Sequence, residues 1–213
     1  VQLFLAGFLG EILANQKRFD DAIAALDLAE GLDPNDVNIF LIRADVLLWQ
    51  GFHALAADEV ERALQMATDP DDRCELYLEQ ADILEDQERY TDVVDSLKLA
   101  LHENPTSEEA LNRMWFCTEL LELYHESIVF HSALIEENPY AHLAWFNLGH
   151  AYAGTGDYDQ SLEAFEFVIA IDEKFEPAYI CCGDVHFTVH QYDKALAFYL
   201  EAIKISKPNK ELY

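Results

Sequence analysis

Apolar and polar positions alternate with a helical period along this chain, and the whole pattern recurs about every 34 residues. One column of mostly small residues keeps spacings of 34, 37, 34, 34 and 34: Gly10, Ala44, Ala81, Trp115, Gly149 and Gly183. A mostly aromatic column keeps the same spacings: Phe19, His53, Tyr90, Tyr124, Tyr158 and Tyr192. Two residue classes in one register predict a tandem array of helix hairpins, with the aromatic column at the turn before each second helix.

The second helix of each predicted hairpin carries its own apolar stripe. It begins with Ala22, Ala56, Val93, Ser127, Ser161 and Ala195. One helical turn later come Leu26, Val60, Leu97, His131, Phe165 and Tyr199. Prolines at 34, 105 and 139 then end three of the units, because proline disfavours helix in the residue before it. The stripe predicts that each second helix buries one face.

At this point the chain resembles a tetratricopeptide-repeat (TPR) protein. Trp145, Leu148, Gly149 and Tyr152 match the first half of that repeat in full, and Ala22, Leu26 and Pro34 approximate the second half. The resemblance implies an all-α fold, a right-handed α-solenoid of antiparallel helix hairpins. It is specific for fold and says little about function.

Six units are predicted, at approximately 3–36, 37–73, 74–107, 108–141, 142–175 and 176–209. We expect one continuous solenoid over 1–213, because each repeat buries its apolar face only against its neighbours. The second unit is three residues longer, and we assign the extra residues to a loop formed by ATDPDDR. Trp115 stands where a small residue normally lets two helices approach, so the fourth unit should have altered geometry.

Both ends of the sequence are expected to continue a longer array. The first turns are almost entirely apolar, whereas an outermost repeat should carry a polar outer face. Tyr213 lies 34 residues after Tyr179, so residues 210–213 are interpreted as the start of a seventh unit. No run of about 18 apolar residues occurs, and we expect no membrane span.

The charge is strongly negative, with 41 acidic against 13 basic residues and a formal net charge of -28. Such a chain repels nucleic acid, which is itself a polyanion. Solubility of an extended array explains most of the charge, and acids that face a groove retain a functional share.

In proteins of the family that the chain resembles, the first helix of each unit lines a concave surface. Helical spacing from the core columns then predicts a peptide-binding groove formed by Asp45, Trp49, Glu79, Asp82, Asp86, Asn112, Phe116, Phe146, Asn147, His150 and Asp184. Aromatic side chains framed by charge suit a peptide-binding surface. Packing between adjacent helices is an equally good interpretation for three of these aromatic residues, Phe146, Phe116 and Trp49. Only an exposed side chain would favour contact with a ligand.

The acidic groove predicts a partner segment that is basic, or mixed basic and apolar, and an association that weakens as salt rises. Some relatives instead use a carboxylate clamp that captures an acidic C-terminus. Here Asn112, Arg113 and Asn147 are suggestive, but groove lysines are missing, so a clamp is not expected.

Catalytic, cofactor and metal sites are not expected from the sequence. His186 and His190 have i, i+4 spacing, yet His186 replaces a core tyrosine and is interpreted as packed. The adjacent Cys181 and Cys182 lack further ligands at short spacing, and Cys182 takes a core position. Unpaired cysteines favour a reducing compartment, and we expect a cytoplasmic protein.

Three functions therefore stay open. The leading one is a protein-protein interaction scaffold without enzymatic activity. The alternatives are a regulatory or substrate-recruiting domain of a larger multidomain enzyme, and a module that self-associates through its truncated ends.

Overall fold

The computed structural model describes residues 2–206, with side chains from residue 7 onward. Within that range the chain forms twelve α-helices and no strand. Their bounds are α1 Gln2–Asn15, α2 Phe19–Leu32, α3 Val37–Trp49, α4 His53–Met66, α5 Pro70–Glu85, α6 Tyr90–Glu103, α7 Glu108–Leu121, α8 Tyr124–Glu137, α9 His142–Thr155, α10 Tyr158–Ile171, α11 Glu176–Thr188 and α12 Tyr192–Ser206. None of these helices is both long and apolar enough to cross a membrane.

The twelve helices follow one another as six helix-turn-helix units, one for each predicted repeat, so the all-α fold class is confirmed. Extensive packing joins α1 to α2, α3 to α4, α5 to α6, α9 to α10 and α11 to α12. The contacts divide the chain into two compact units, Val1–Ser107 with the first three hairpins and Glu108–Tyr213 with the last three. A single solenoid through all six repeats stays a prediction, and the proposed seventh unit at 210–213 lies outside the described residues.

The loop predicted for ATDPDDR is wrong in its second half, because α5 begins at Pro70. Asp69 caps this helix by accepting a hydrogen bond of 2.9 Å from the backbone N–H of Asp71. Proline suits the first helical turn, where its missing N–H leaves no bond unmade. The three extra residues of the second unit therefore lengthen α5 at its start, and the third repeat begins before residue 74.

The turn inside each hairpin has a residue with positive φ at the same repeat position. These residues are Lys17 (60°), Gly51 (77°), Glu88 (57°), Glu122 (54°), Gly156 (80°) and His190 (62°). The left-handed conformation ends the first helix and reverses the chain within a few residues. Only two of the six are glycine, so four side chains are held in a region that L residues disfavour.

Small residues of the first helix lie directly beneath large side chains of the second. A Cβ added at Gly149 would stand 2.6 Å from the ring of Phe165, and one added at Gly183 would stand 2.5 Å from the ring of Tyr199. Both distances are far below van der Waals contact. The glycines thus allow the close helix approach that the small-residue column predicted.

The fourth hairpin differs, as the bulk of Trp115 led us to expect. Contacts between α7 and α8 are sparse, and both helices pack chiefly against α9. Trp115 is 37% exposed and contacts the ring of His150 on α9, with ring centroids 5.4 Å apart. The ring of Tyr124 on α8 lies against Gly154 of α9. The fourth repeat therefore packs more against the next repeat than within its own hairpin.

A buried arginine joins the first two repeats. Arg43 on α3 is only 5% exposed, and its guanidinium lies 2.7 Å from a carboxylate oxygen of Glu30 on α2. Asp27 on α2 and Glu59 on α4 each lie 3.1 Å away. A buried cation is tolerated when it is paired and hydrogen-bonded, and here three carboxylates from two helices pair with the two terminal nitrogens, while Nε is buried without a hydrogen-bond partner.

Candidate functional site

The first helices of the repeats form one layer within the unit 1–107, where α1 contacts α3 and α3 contacts α5. Their free faces carry the acidic residues that the sequence placed in the groove. Asp45 on α3 is half-buried and hydrogen-bonds the side chain of Glu79 on α5. Burial raises the pKa of Asp45, and the negative charges of Asp82 and Glu11 raise it further. The hydrogen bond with Glu79 acts in the opposite sense and lowers this pKa, because one carboxyl group donates to another only when one of the two is protonated. Asp45, Glu79 and Asp82 thus form an acidic cluster on this surface.

Trp49 lies one turn beyond Asp45 at the end of α3, and it is 55% exposed. Its ring faces that of Phe19 at a tilt, with centroids 6.4 Å apart. The two rings border an open cavity of about 480 Å³, which is completed by Ala14, Asn15 and Lys17. The exposure favours the ligand-contact interpretation of this tryptophan over the packing alternative.

Asp86 is also exposed, and its carboxylate lies 3.6 Å from the imidazole of His53. It follows the last residue of α5 as the C-cap. Its position places one more negative charge near the turn end of the helix layer.

Within the unit 108–213, the aromatic candidates behave differently from one another. Phe116 on α7 is 50% exposed, and Asn112 one turn earlier is also exposed. Phe146 on α9 instead packs among rings, with centroids 5.7 Å from Phe165 and 5.2 Å from Phe175. Exposure therefore favours ligand contact for Phe116, whereas Phe146 is mainly a packing residue.

His150 on α9 lies between these aromatic side chains and two polar groups. Its Nε2 is 3.5 Å from the sulfur of Cys181 on α11, and its Nδ1 is 3.9 Å from a carboxylate oxygen of Glu119 on α7. Burial lowers the pKa of His150 to about 4 and raises the pKa of Cys181 to about 12. At neutral pH both groups are therefore uncharged.

Asn147 is buried, with 3% exposure, and does not reach the surface on which the sequence placed it. Its amide nitrogen donates one hydrogen bond of 2.8 Å to the carbonyl oxygen of Leu111 and lies 3.1 Å from Nε2 of His131. His131 is buried, and its Nδ1 lies 2.9 Å from the carbonyl oxygen of Ser127. Both amide hydrogens of Asn147 are thus used inside the protein, and burial lowers the pKa of His131 to about 4.

Asp184 on α11 is exposed and accepts a hydrogen bond of 2.6 Å from the hydroxyl of Tyr199.

Because Asn147 is turned inward, the three side chains considered for a carboxylate clamp do not converge. Arg113 extends along its own helix to Glu109, with 3.5 Å between the guanidinium and the carboxylate. The surface of this unit is therefore mixed aromatic and acidic.

The structure also places residues at the surface that the groove prediction missed. Trp115 was assigned to a core column, yet it is partly exposed beside His150. Its bulk in a column of small residues was the signal. Lys17 and Phe19 border the cavity at Trp49, and only the turn that joins α1 to α2 brings them there.

The two histidines with metal-like spacing do not share a helix face. His186 is buried and stacks on Phe198, with centroids 5.4 Å apart, which confirms its interpretation as a packed residue. His190 lies beyond the end of α11 in the turn, where its φ is positive. Among residues 7–206, no group of three or more histidine, cysteine or acidic side chains is arranged to hold a metal ion.

Comparison with known families agrees with the hairpin architecture. Models of the tetratricopeptide repeat match residues 142–175 and residues 6–37. The chain is built of tetratricopeptide repeats. The matched segments are the fifth and first hairpins, and the TPR resemblance of the sequence is thereby confirmed.

Curated proteins with similar TPR sequences include two Hsp70-Hsp90 organising proteins. That of Plasmodium falciparum is 32% identical over 89 residues, which cover 42% of this chain and 35% of that protein. The organizing protein 3 of Arabidopsis thaliana is 23% identical over an alignment that covers 95% of this chain and 42% of that protein. The TPR chain described here spans less than half the length of either relative.

Solved TPR structures share the fold at low sequence identity. The C-terminal part of a TPR repeat-containing protein from Cytophaga hutchinsonii has a TM-score of 0.64 at 14% identity, covering 93% of this chain and 78% of that one. YrrB, a TPR protein with an unusual peptide-binding site, has a TM-score of 0.57 at 20% identity, covering 85% and 92%. The TPR2AB domain of yeast Sti1 in complex with pHSP90 has a TM-score of 0.52 at 17% identity, covering 95% and 90%.

Proposed function

We propose that this TPR chain is a non-enzymatic scaffold that binds an extended segment of another protein, and that the segment is basic or mixed basic and apolar. The observation that carries the proposal is the set of carboxylates on α3 and α5, where Asp45 is partly desolvated beside Glu79 and Asp82. Bringing a lysine or arginine to this surface lowers the electrostatic cost that the carboxylates impose on each other.

Similar proteins support a peptide or protein partner in general terms. YrrB has a peptide-binding site, and the Sti1 domain is in complex with pHSP90. The organising proteins carry names that refer to Hsp70 and Hsp90. For the present chain we carry over only the class of ligand, a polypeptide. Which polypeptide it binds depends on the charged surface of this chain.

The charge also bears on other partners. A formal net charge of -28 repels nucleic acid and anionic surfaces, and it attracts basic segments over long range. The four free cysteines support a reducing compartment such as the cytoplasm.

A catalytic role finds no support in the Cys181 and His150 contact, the arrangement nearest to a nucleophile and base. Nucleophilic cysteines react as thiolates, and their pKa is lowered by a neighbouring charge. Here burial moves both pKa values in the opposite sense, towards the neutral thiol and the neutral imidazole. We therefore assign these residues to packing inside the repeat array.

Binding to synthetic peptides tests the acidic-surface proposal. Fluorescein-labelled peptides of alternating serine with lysine, glutamine or glutamate are titrated against the full chain in an anisotropy assay. The double variant Asp45→Asn with Asp82→Asn should weaken binding of the lysine peptide about tenfold at low salt, since each lost ion pair is worth up to about 1 kcal/mol. Neither the parent chain nor this double variant is expected to bind the glutamate peptide.

The matched control removes two charges from exposed positions on α4, with Asp58→Asn and Glu61→Gln. This variant has the same net charge as the first, so it reports attraction to the molecule as a whole. Equal weakening by the two double variants would show that the lysine peptide senses only the total charge, and the assignment of a binding surface would be abandoned.

Self-association is a second candidate, favoured by one observation. The exposed face of α12 carries an apolar stripe of Leu196 (58% exposed), Leu200 (49%) and Ile203 (50%). Such a stripe suits contact with another helix. Light scattering on the parent chain and on the Leu200→Glu variant distinguishes the two functions. A parent chain that is dimeric and a variant that is monomeric support self-association, whereas two monomeric proteins exclude it.

A further inference from the structure

The cavity at Trp49 and the carboxylates of α3 adjoin each other within the unit 1–107. Trp49 lies four residues after Asp45 on α3, and Asn15 lies four residues after Glu11 on α1. Four residues make about one helical turn, a rise of about 6 Å, so each pair lies along one face of its helix. Two neighbouring helices therefore present a carboxylate and, one turn further on, a residue that borders the cavity.

The cavity itself suits an apolar side chain. The ring of Trp49 is more than half exposed, and Phe19 provides a second aromatic surface at its border. Of the residues whose side chains the structure describes, those that line the cavity include no carboxylate, and Lys17 is the charged one among them. Lysine and arginine side chains are therefore repelled from the cavity itself, whereas they are attracted to the acids one turn away.

These two neighbouring environments define the spacing of a ligand. In an extended peptide, side chains two residues apart lie on the same face and are separated by about 6.6 to 6.8 Å. That separation is close to the helical rise between Asp45 and Trp49. One face of an extended segment can therefore place a cation beside the carboxylates and an apolar group in the cavity at the same time.

We propose that the cavity bordered by Trp49, Phe19 and Lys17 is a subsite for one large apolar side chain of a bound segment, two residues from a lysine or arginine that contacts Asp45. The proposal rests on the basic-segment function above and adds to it a specific residue pattern. Because Lys17 disfavours a second basic residue in the cavity, a peptide with an apolar residue two positions from its lysine should bind more tightly than the alternating lysine peptide.

Selection from a displayed library of random dodecapeptides tests this pattern on the full chain. The expected result is enrichment of peptides in which an aromatic or large aliphatic residue stands two positions from a lysine or arginine. Trp49→Ala should lower the affinity of such a peptide about tenfold, as for a central aromatic contact. Moving the apolar residue of the peptide by one position should lower its affinity for the unchanged protein by a similar factor. The same change should hardly alter its affinity for the Trp49→Ala variant.

The matched control is Tyr140→Ala, which removes another exposed aromatic side chain, 79% exposed, from the unit 108–213. It should leave affinity and enrichment unchanged. Far-ultraviolet circular dichroism and urea unfolding of each variant show that a lost affinity is not lost folding.

The outcomes separate the two proposals. If no basic residue is enriched, the proposed function itself fails. If basic residues are enriched and Asp45→Asn weakens binding, but Trp49→Ala has no effect or the apolar residue has no fixed spacing, only the subsite is overturned. If Trp49→Ala converts a dimer of the peptide-free chain to a monomer, the cavity contacts a second copy and the subsite is likewise overturned.

Discussion

Adding one methyl group at Gly149 should destabilise the protein, although alanine is the better helix former. The added Cβ would stand 2.6 Å from the ring of Phe165, so the ring must retreat by roughly 1 Å to regain ordinary contact. Phe165 is only 1% exposed and packs against Phe146 and Cys182, so a movement of its ring must displace buried neighbours. Overpacking of this kind costs about 1 to 3 kcal/mol, and the higher helix propensity of alanine returns about 1 kcal/mol. The middle of these ranges gives an expected net loss of about 1 kcal/mol for Gly149→Ala, and the upper end gives about 2 kcal/mol.

Gly31 provides the matched control, because it lies in α2 and an added Cβ there meets nothing within 4 Å. Gly31→Ala should therefore stabilise the protein, by up to about 1 kcal/mol. Urea unfolding followed by circular dichroism measures both changes, and a thermal scan should show a shift of about 2 to 4 °C for each kcal/mol.

A second substitution tests the cause. Leucine already stands at position 97, opposite Ala81 in the third repeat, where Phe165 stands opposite Gly149 in the fifth. Phe165→Leu should therefore recover about 1 kcal/mol when it is introduced into Gly149→Ala. If Gly149→Ala is as stable as the parent chain, or if the second substitution only adds a further loss, close helix approach is not what requires glycine here.

Three further predictions follow from other buried or strained positions. Burial lowers the pKa of His131 to about 4, against 6.5 for an exposed histidine, so the folded state resists its protonation. As pH falls from 6.5 to 4, about 3 kcal/mol of unfolding free energy should therefore be lost. His131→Phe should flatten that part of the pH profile of stability, measured by urea unfolding. Glu88 has a φ of 57°, so Glu88→Gly should raise the unfolding free energy by about 1 kcal/mol in the same assay. Arg43→Ala should cost about 3 kcal/mol, because it leaves carboxylates beside a buried space with no cation, and calorimetry should show an earlier transition.

Each of these has a result that contradicts it. An unchanged pH profile in His131→Phe would mean that other groups cause the acid sensitivity. A loss of stability in Glu88→Gly would show that the glutamate side chain contributes more than its conformation costs. A fully stable Arg43→Ala would mean that water replaces the guanidinium at no cost.

The helix array followed from the sequence because its signals are local and repeated six times. The start of α5 is also encoded locally, because an aspartate followed by proline is a typical helix start, as at Asp69 and Pro70. The loop prediction for this segment is wrong because the three extra residues of the second unit extend a helix and do not form a loop.

The surface was harder to predict, because the exposure of a side chain depends on its partners in the neighbouring repeat. Asn147 has the spacing of a groove residue, but the carbonyl of Leu111 and the ring of His131 draw its amide inward. Trp49 and Phe146 both have the spacing of groove residues, yet Phe146 packs against two phenylalanine rings whereas Trp49 is more than half exposed. No column of the repeat contains that information.

The charge cluster around Arg43 has a consequence for how this array can be rearranged. Its guanidinium is accepted only next to a repeat that offers carboxylates where Asp27 and Glu30 stand. The first and second hairpins are therefore not interchangeable: placing the second after a different hairpin would leave Arg43 enclosed with the Glu59 carboxylate of its own hairpin but without Asp27 and Glu30. The order of the repeats is therefore fixed by the side chains at the interfaces between hairpins, even where the hairpins share one sequence pattern.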